Sequence, residues 1–258
     1  MRTEHGTNGS DGHEAAWWQP ADRGRVACLL CPHHCVIAEG QAGICRVRVN
    51  RGGRLNADAW GKITSMALDP IEKKPLHGFY RGSRILSVGS FGCNFKCDFC
   101  QNWSISQKSA SWRLVLPGDL VSRAVLERRN GNIGLAFTYN EPLINYEYVM
   151  DCARLARKEN LNNVLVTNGS IHPEPLEELL PWIDAMNIDL KSWQPSFYRT
   201  VCHGRIEPVL ETIRRSARRC HVEITTLLIP GLNDAEADMD ALASWRSEER
   251  RVGKECRS

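Results

Sequence analysis

No stretch of the 258 residues approaches the roughly 18 consecutive apolar residues needed to span a bilayer, so no membrane helix is expected. The start, Met1 to Glu14, is polar and Gly-rich and lacks an apolar h-region, which argues against a secretory signal. Internal repeats and low-complexity blocks are missing as well. Charge is nearly balanced: 33 Lys and Arg against 30 Asp and Glu leave a net of +3. Residues 246–258 hold five of those cations and three of the anions, so the remainder stands at 28 against 27. Nothing in that balance supplies a basic patch, and neither nucleic acid nor a membrane is expected as a partner.

Cysteine, by contrast, is abundant. Eleven in a chain of this length exceed what a chance scatter of buried thiols would give. A secreted mini-protein would use them as staples, but this chain is long enough for a core of its own, with 42% hydrophobic residues. Their clustering points to metal or iron–sulfur ligation in a reducing, cytoplasmic setting. Cys152, Cys202 and Cys220 stand alone and read as small apolar residues. Cys256 falls in the segment Arg246 to Ser258, which resembles the translation of a sequencing adapter. That segment is expected to be a non-native tail, with the natural chain interrupted after about Trp245, and such a product is expected to fold poorly or be inactive.

Elements alternate along the chain. Met1 to about Pro20 reads as a disordered leader, and residues 21–80 as a Cys-rich module with short strands. Those strands are Arg46 to Asn50 and Leu55 to Leu68, flanking a turn at Arg51-Gly52-Gly53. Asp69 to His77 is a proline-punctuated connector. From residue 81 to 245, strands are predicted at Arg84–Val88, Ile133–Thr138, Asn163–Thr167, Ala185–Leu190 and Val222–Leu228. Helices are predicted at Asp119–Arg129, Ile144–Glu159, Pro173–Leu180 and Glu207–Arg218, with another beginning at Ala235–Trp245. This order predicts an α/β fold with a parallel sheet, too short for a complete eight-unit barrel, with function at the C-terminal ends of the strands.

The loop after the first of these strands, Gly89-Ser-Phe-Gly-Cys93-Asn-Phe-Lys-Cys97-Asp-Phe-Cys100, brings three thiols together. Three thiolates can occupy three irons of a cubane and leave the fourth open to a chelating ligand. A structural zinc site would want a fourth Cys or His, and the neighbours Gln101 and Asn102 are poor ligands. Upstream, Cys28, Cys31, Cys35 and Cys45 form C-x2-C-x3-C-x9-C. Four thiols suffice for a zinc ion or a second iron–sulfur cluster, and buried free thiols are the alternative. His33 and His34 read as solvent-facing or outer groups.

The CxxxCxxC spacing with Phe99 before its last cysteine resembles the signature of the radical S-adenosylmethionine superfamily. A wider resemblance runs from Cys28 to Trp245. It rests on Cys31-Pro-His-His-Cys35, on Cys93 to Gln107, on Thr138-Tyr-Asn-Glu-Pro142 and on Thr225-Thr-Leu-Leu-Ile-Pro-Gly-Leu-Asn-Asp234. These strings look like the radical enzyme of the AmmeMemoRadiSam system, a group similar to pyruvate formate-lyase-activating enzymes. The resemblance implies a partial (β/α)6-type barrel, here cut short of its sixth unit. It also implies a [4Fe–4S] cluster on Cys93, Cys97 and Cys100 and reductive cleavage of S-adenosylmethionine to a 5′-deoxyadenosyl radical that abstracts hydrogen. An electron donor such as flavodoxin or ferredoxin, and a small-molecule or protein substrate, belong to the same expectation.

For the cofactor, the resemblance points to Phe99, Asn140, Glu141, Thr167, Asn168, Asp189 and Lys191. Glu141 matches the acidic end of the family's Gly-Gly-Glu motif, while the glycines are replaced. As a carboxylate it can accept from an iron-bound amine; alternatively, it is a charge favoured at a helix start. Val166 stands where the activating enzymes carry an aspartate before Thr167-Asn168-Gly169, a string that also reads as a plain turn. Asp189 and Lys191 share a strand face and are placed near the ribose and carboxylate, or else form a structural ion pair. Two other functions stay open: a glycyl-radical activase, and a non-catalytic zinc-binding interaction module.

Overall fold

A computed structural model describes residues 12–255, with side chains through Glu248. Three short strands, β1 (Trp18–Pro20), β2 (Val26–Cys28) and β3 (Val36–Ile37), form an antiparallel sheet. The hairpin of β4 (Arg48–Arg51) and β5 (Arg54–Ala57) follows. Its turn residues Gly52 and Gly53 have φ of 61° and 74°, a conformation that glycine adopts without steric cost. Next come β6 (Lys62–Ile63) and β7 (Ser65–Pro70), then β8 (Arg84–Gly89), α1 (Trp103–Ser106) and β9 (Arg113–Leu114). The remaining order is α2 (Pro117–Leu126), β10 (Asn132–Phe137), α3 (Tyr146–Lys158), β11 (Asn162–Thr167), α4 (Pro173–Leu179) and β12 (Ala185–Asp189). It closes with α5 (Pro195–Phe197), α6 (Glu207–Ala217), β13 (His221–Thr225) and α7 (Glu236–Glu255).

The main sheet has the order β13-β12-β11-β10-β8-β7. The five strands predicted as parallel are parallel, and β7 adds an antiparallel edge. That edge corrects one expectation. Leu55 to Leu68 is not a single strand, because turns after Ala57 break it into β5, β6 and part of β7. Prolines in the first turns of α2, α4 and α6 sit where a missing N–H costs nothing, so these helices start where their sequences allow.

Alternation gives the sheet two distinct faces. Leu86, Val88, Leu135, Phe137, Leu165, Met186 and Ile188 belong to the large core shared with α2, α3 and α4. Ile85, Ala136, Val164 and Ala185 pack instead against Ile71, Leu76 and Phe79 of the connector between β7 and β8. Asn187 Nδ2 donates to the Pro75 carbonyl (3.0 Å), and Glu223 accepts the His77 and Gly78 N–H groups. The proline-punctuated connector is therefore the floor of this face. The C-terminal ends of the strands stay open.

A second correction concerns the leader. Residues 1–11 lie outside the described residues, but 13–20 are folded onto the body. The His13 ring stacks on Trp60 with centroids 4.6 Å apart, Ala15 is buried with its N–H on the Leu55 carbonyl, and the Ala16 N–H reaches Glu147 (2.7 Å). At the other end, α7 continues as helix through residues 246–255, and 256–258 lie outside the description. No helix among the described residues is long and apolar enough to cross a membrane.

Candidate active site

A cavity of about 700 Å³ opens over the C-terminal ends of the parallel strands. This volume is ordinary for a small-molecule site, typically ~300–1,000 Å³. Cys93, Cys97 and Cys100 line one side, and Asp189, Lys191, Thr225 and Leu227 another. Asp69, Lys73, Lys74 and Tyr139 complete the wall.

Contacts from the ends of β10 and β11, and from Cys45, hold the cysteine loop in place. Gly92 has φ of +82°, and a Cβ there would come within 2.6 Å of the Cys45 carbonyl oxygen, so only glycine fits this close approach. Asn140, after β10, accepts the Ser90 N–H (2.9 Å) and donates to the Phe91 and Gly92 carbonyls (3.1 Å each). Asn168, after β11, donates to Asn94 Oδ1 (2.9 Å) and stands 3.6 Å from Cys93 Sγ. Asn94 in turn donates to the Ser170 carbonyl (2.8 Å). The Phe95 N–H points at Cys93 Sγ (3.3 Å), the kind of donor that stabilises a thiolate.

Glu141 is spent within the protein. Its carboxylate accepts Thr167 Oγ1–H (2.6 Å) and the backbone N–H groups of Asn168 (2.7 Å) and Leu143 (2.9 Å), and it is 2% exposed. Burial raises its pKa to about 7 against the opposing pull of these donors. Glu141 thus couples the β10 and β11 loops, as does Thr167. Asn140, Glu141 and Thr167 stand at the cavity wall, and the hydrogen bonds they make are to the protein's own loops.

Asp189 and Lys191 form an ion pair (2.9 Å) on the cavity wall, with Lys191 Nζ 5.7 Å from the centre of the Phe99 ring. Burial opposes the Lys191 charge, but Asp189 and the Cys97 sulfur outweigh it and raise its pKa. Phe99 packs on Phe197 with ring centroids 5.9 Å apart.

Two groups here had no sequence signal. Cys202, read as an isolated apolar residue, places its thiol against Cys97, and this contact is the first cause of the lowered Cys97 pKa. The Cys202 carbonyl also accepts the Lys96 N–H (3.0 Å), so its segment runs along the cysteine loop. Nothing in its spacing distinguishes it. The second is Tyr139, whose φ of +73° is uncommon for a bulky residue. Its hydroxyl donates to Asp69 (2.8 Å), which also receives the buried Lys74 ammonium (2.9 Å). Burial opposes the Asp69 charge, yet these two donors hold its pKa down at about 2. A positive φ at a large residue in a cavity wall is the one such signal, and it is visible only in coordinates.

The upstream cysteines lie in and around the N-terminal sheet, Cys28 pairing its N–H with the Cys35 carbonyl (2.9 Å). Cys28, Cys31 and Cys45 are buried and Cys35 is half-buried. His33 Nε2 lies 2.7 Å from the Asn94 carbonyl oxygen, tying this group to the cysteine loop, and the His34 ring packs on His172. Among the described residues no three Cys, His, Asp or Glu side chains converge on the position of one metal ion. The loop thiols suit a cluster by their chemistry: soft donors at a strand end, facing a cavity, with an N–H on Cys93 and no fourth protein ligand in the loop.

Residues 87–243 match the Radical SAM superfamily, and the chain belongs to it. Membership makes it an enzyme of a class that uses a [4Fe–4S] cluster and S-adenosylmethionine. Among curated proteins it is 42% identical over 230 residues to uncharacterized protein MJ0808 of Methanocaldococcus jannaschii, covering 88% of this chain and 67% of that protein. It is 22% identical to the indoleacetate decarboxylase activating enzyme of Tractidigestivibacter scatoligenes, over 59% of this chain and 52% of that enzyme. Identity to the pyruvate formate-lyase-activating enzyme of Clostridium pasteurianum is 23%, over 73% of this chain and 81% of that enzyme. The chain thus spans between about half and four fifths of these relatives' own lengths.

Proposed function

We propose that this chain reductively cleaves S-adenosylmethionine and directs the resulting radical to hydrogen abstraction from a substrate, as a radical enzyme of the AmmeMemoRadiSam type. The observation that carries this reading is the placement of Cys93, Cys97 and Cys100 on the rim of a cavity that also holds Asp189, Lys191 and Asn168. Cys93, Cys97 and Cys100 would hold a [4Fe–4S] cluster, and the chemistry it would supply is one-electron reduction of the sulfonium to methionine and a 5′-deoxyadenosyl radical. The electron comes from a carrier of the flavodoxin or ferredoxin kind.

The protein's part is positioning and exclusion of water. Asn140 and Asn168 hold the loop, so the three thiols are presented on a fixed backbone. The Asp189 carboxylate, 37% exposed, has lone pairs left for ribose hydroxyls, and Lys191 offers its charge to a carboxylate. Phe99 supplies an apolar face beside them. Glu141 and Thr167 act by coupling the two strand-end loops.

Anaerobic reconstitution with iron and sulfide, followed by S-adenosylmethionine and dithionite, is expected to yield 5′-deoxyadenosine and methionine. A colourless protein with about one zinc per four thiols and no cleavage would sink the reading and favour a zinc-binding module. A glycyl-radical activase is the second reading, favoured by the activating enzymes among the relatives. Val166 at the cavity wall, where those activators carry an aspartate, and the four-cysteine preamble stand against it. A glycyl-radical signal in a candidate partner protein mixed with reduced enzyme and S-adenosylmethionine would decide for the activase.

A further inference from the structure

The cavity has a second charged wall, to which the proposed cleavage assigns no role. Asp189 ends β12, with Lys191 just after it, whereas Asp69 lies on β7 at the antiparallel edge of the sheet. Four strand spacings separate β12 from β7, which at ~4.8 Å each is about 19 Å along the sheet. Both ends line the same cavity. A molecule held by Asp189 and Lys191 therefore has the β7 end as its neighbour.

The wall at that end is built from buried parts. Lys74 is 3% exposed, and its ammonium donates to Asp69 Oδ2 (2.9 Å). Lys74 Nζ lies 4.7 Å from the centre of the Tyr139 ring, whose hydroxyl donates to the same carboxylate oxygen (2.8 Å). Gly89 makes room for that ring, because a Cβ there would come within 2.8 Å of Tyr139 Cδ2. Asn102, two residues past Cys100, donates to the Tyr139 carbonyl (2.7 Å). Tyr139 thus joins the wall to the cysteine loop and fixes one relative to the other, at the cost of its positive φ.

The charges of this wall do not balance. Asp69 is shared by two ammoniums, Lys74 on Oδ2 and the exposed Lys73 on Oδ1 (3.7 Å). Two cations against one carboxylate leave one positive charge in excess. The other carboxylates lining the cavity are engaged elsewhere, Asp189 by Lys191 and Glu141 by Thr167 and the loop N–H groups. An ammonium has three N–H donors, and Asp69 takes one from Lys74. Burial pulls the Lys74 pKa below its ordinary value, and Asp69 restores only part of it. A further anion beside Lys74 would offset the part that Asp69 leaves.

We propose that the substrate carries an anionic group, a carboxylate or a phosphate, which Lys74 receives at the β7 end of the cavity with Lys73 at its rim. The rest of the substrate reaches from this anchor toward the thiols. Its standing as a substrate anchor rests on the proposed radical reaction, whereas the anion site itself does not.

Titration calorimetry of the full chain in low-salt buffer, with inorganic phosphate and separately with succinate, tests this. At least one of the two is expected to bind, phosphate more tightly for a phosphate ester substrate and succinate for a carboxylate. Lys74→Met is expected to weaken that binding about 10–100-fold, Lys74→Arg to retain most of it, and Lys73→Met to cost about 2–5-fold. Should Lys74→Met lose its fold by circular dichroism, Asp69→Asn combined with Lys74→Met removes the pair together and takes its place. Failure of both anions to bind overturns the inference, and so does equal affinity in wild type and the Lys74 variant. If binding depends on Lys74 but the reconstituted enzyme does not cleave S-adenosylmethionine, the anion site stands and the proposed function falls. Cleavage without Lys74-dependent anion binding leaves the function standing and removes the anchor.

Discussion

The upstream cysteines and the cysteine loop use the same side chain in opposite settings. Three of the upstream four are buried in a module of short antiparallel strands, braced by the buried Arg48–Glu147 pair (2.9 Å). The loop three are all half-buried on a cavity rim, braced by Asn140 and Asn168 from neighbouring strand ends. The upstream four are enclosed by their own module, while the loop three face a cavity that a small molecule can enter. The difference teaches that exposure, more than spacing alone, separates a cysteine group enclosed in the protein from one open to a cavity.

The sharpest way to break this contrast is to remove a rim thiol. Cys97→Ala is expected to lower 5′-deoxyadenosine formation by on the order of 10³-fold or more while leaving the melting temperature near wild type. A rim thiol whose loss spares cleavage would erase the distinction. Next in size is the brace of the upstream module. Glu147→Gln leaves Arg48 buried and uncompensated and is expected to cost about 3–5 kcal/mol in denaturant unfolding. A loss below ~1 kcal/mol would show that the pair is screened and the module loosely attached.

Asn140→Ala removes three hydrogen bonds from the loop backbone. A loss of about 10–100-fold in cluster affinity is expected, read as iron retained under chelator challenge, with little change in fold. The smallest effect concerns Glu141. Its pKa in the folded protein, about 7, exceeds its ordinary value of 4.5, so the folded state binds more protons between those values. Its contribution is then fully present below about pH 4.5 and is lost as pH rises through about 7. Melting temperatures of wild type and Glu141→Gln across this range test it. The substitution is expected to flatten the decline, and parallel curves would show that Glu141 is ionised throughout.

Much of the architecture is legible in the chain because its causes are local. The five parallel strands fall within a residue or two of their predicted starts, since each is a short apolar run between a turn and an amphipathic helix. The failures share a cause. Ala15 to Trp18 reads as part of a disordered leader until Leu55 and Glu147 offer the partners that order it. Leu55 to Leu68 reads as one run, but the turns after Ala57 send its halves to different sheets. The site shows the same division. Cys93, Cys97 and Cys100 lie within eight residues, so their grouping is visible in the spacing. Cys202 meets Cys97 only because its segment is folded along the loop, and no local pattern records that.

Glu141 shows the limit most clearly. Its place after the second parallel strand marks it as a carboxylate at the cavity, and that much is true. What it binds depends on Thr167 and the Asn168 N–H, both contributed by the next strand.

The sequence by itself determined the strand–helix alternation and the two cysteine groups, because short-range periodicity and spacing are properties of neighbouring residues. Only the tertiary structure decided that the two groups share a wall, that the proline-rich connector floors the sheet, and that Glu141 faces inward. Each of those depends on pairing residues far apart in the chain, where burial makes every polar group find a partner and so fixes which one it finds.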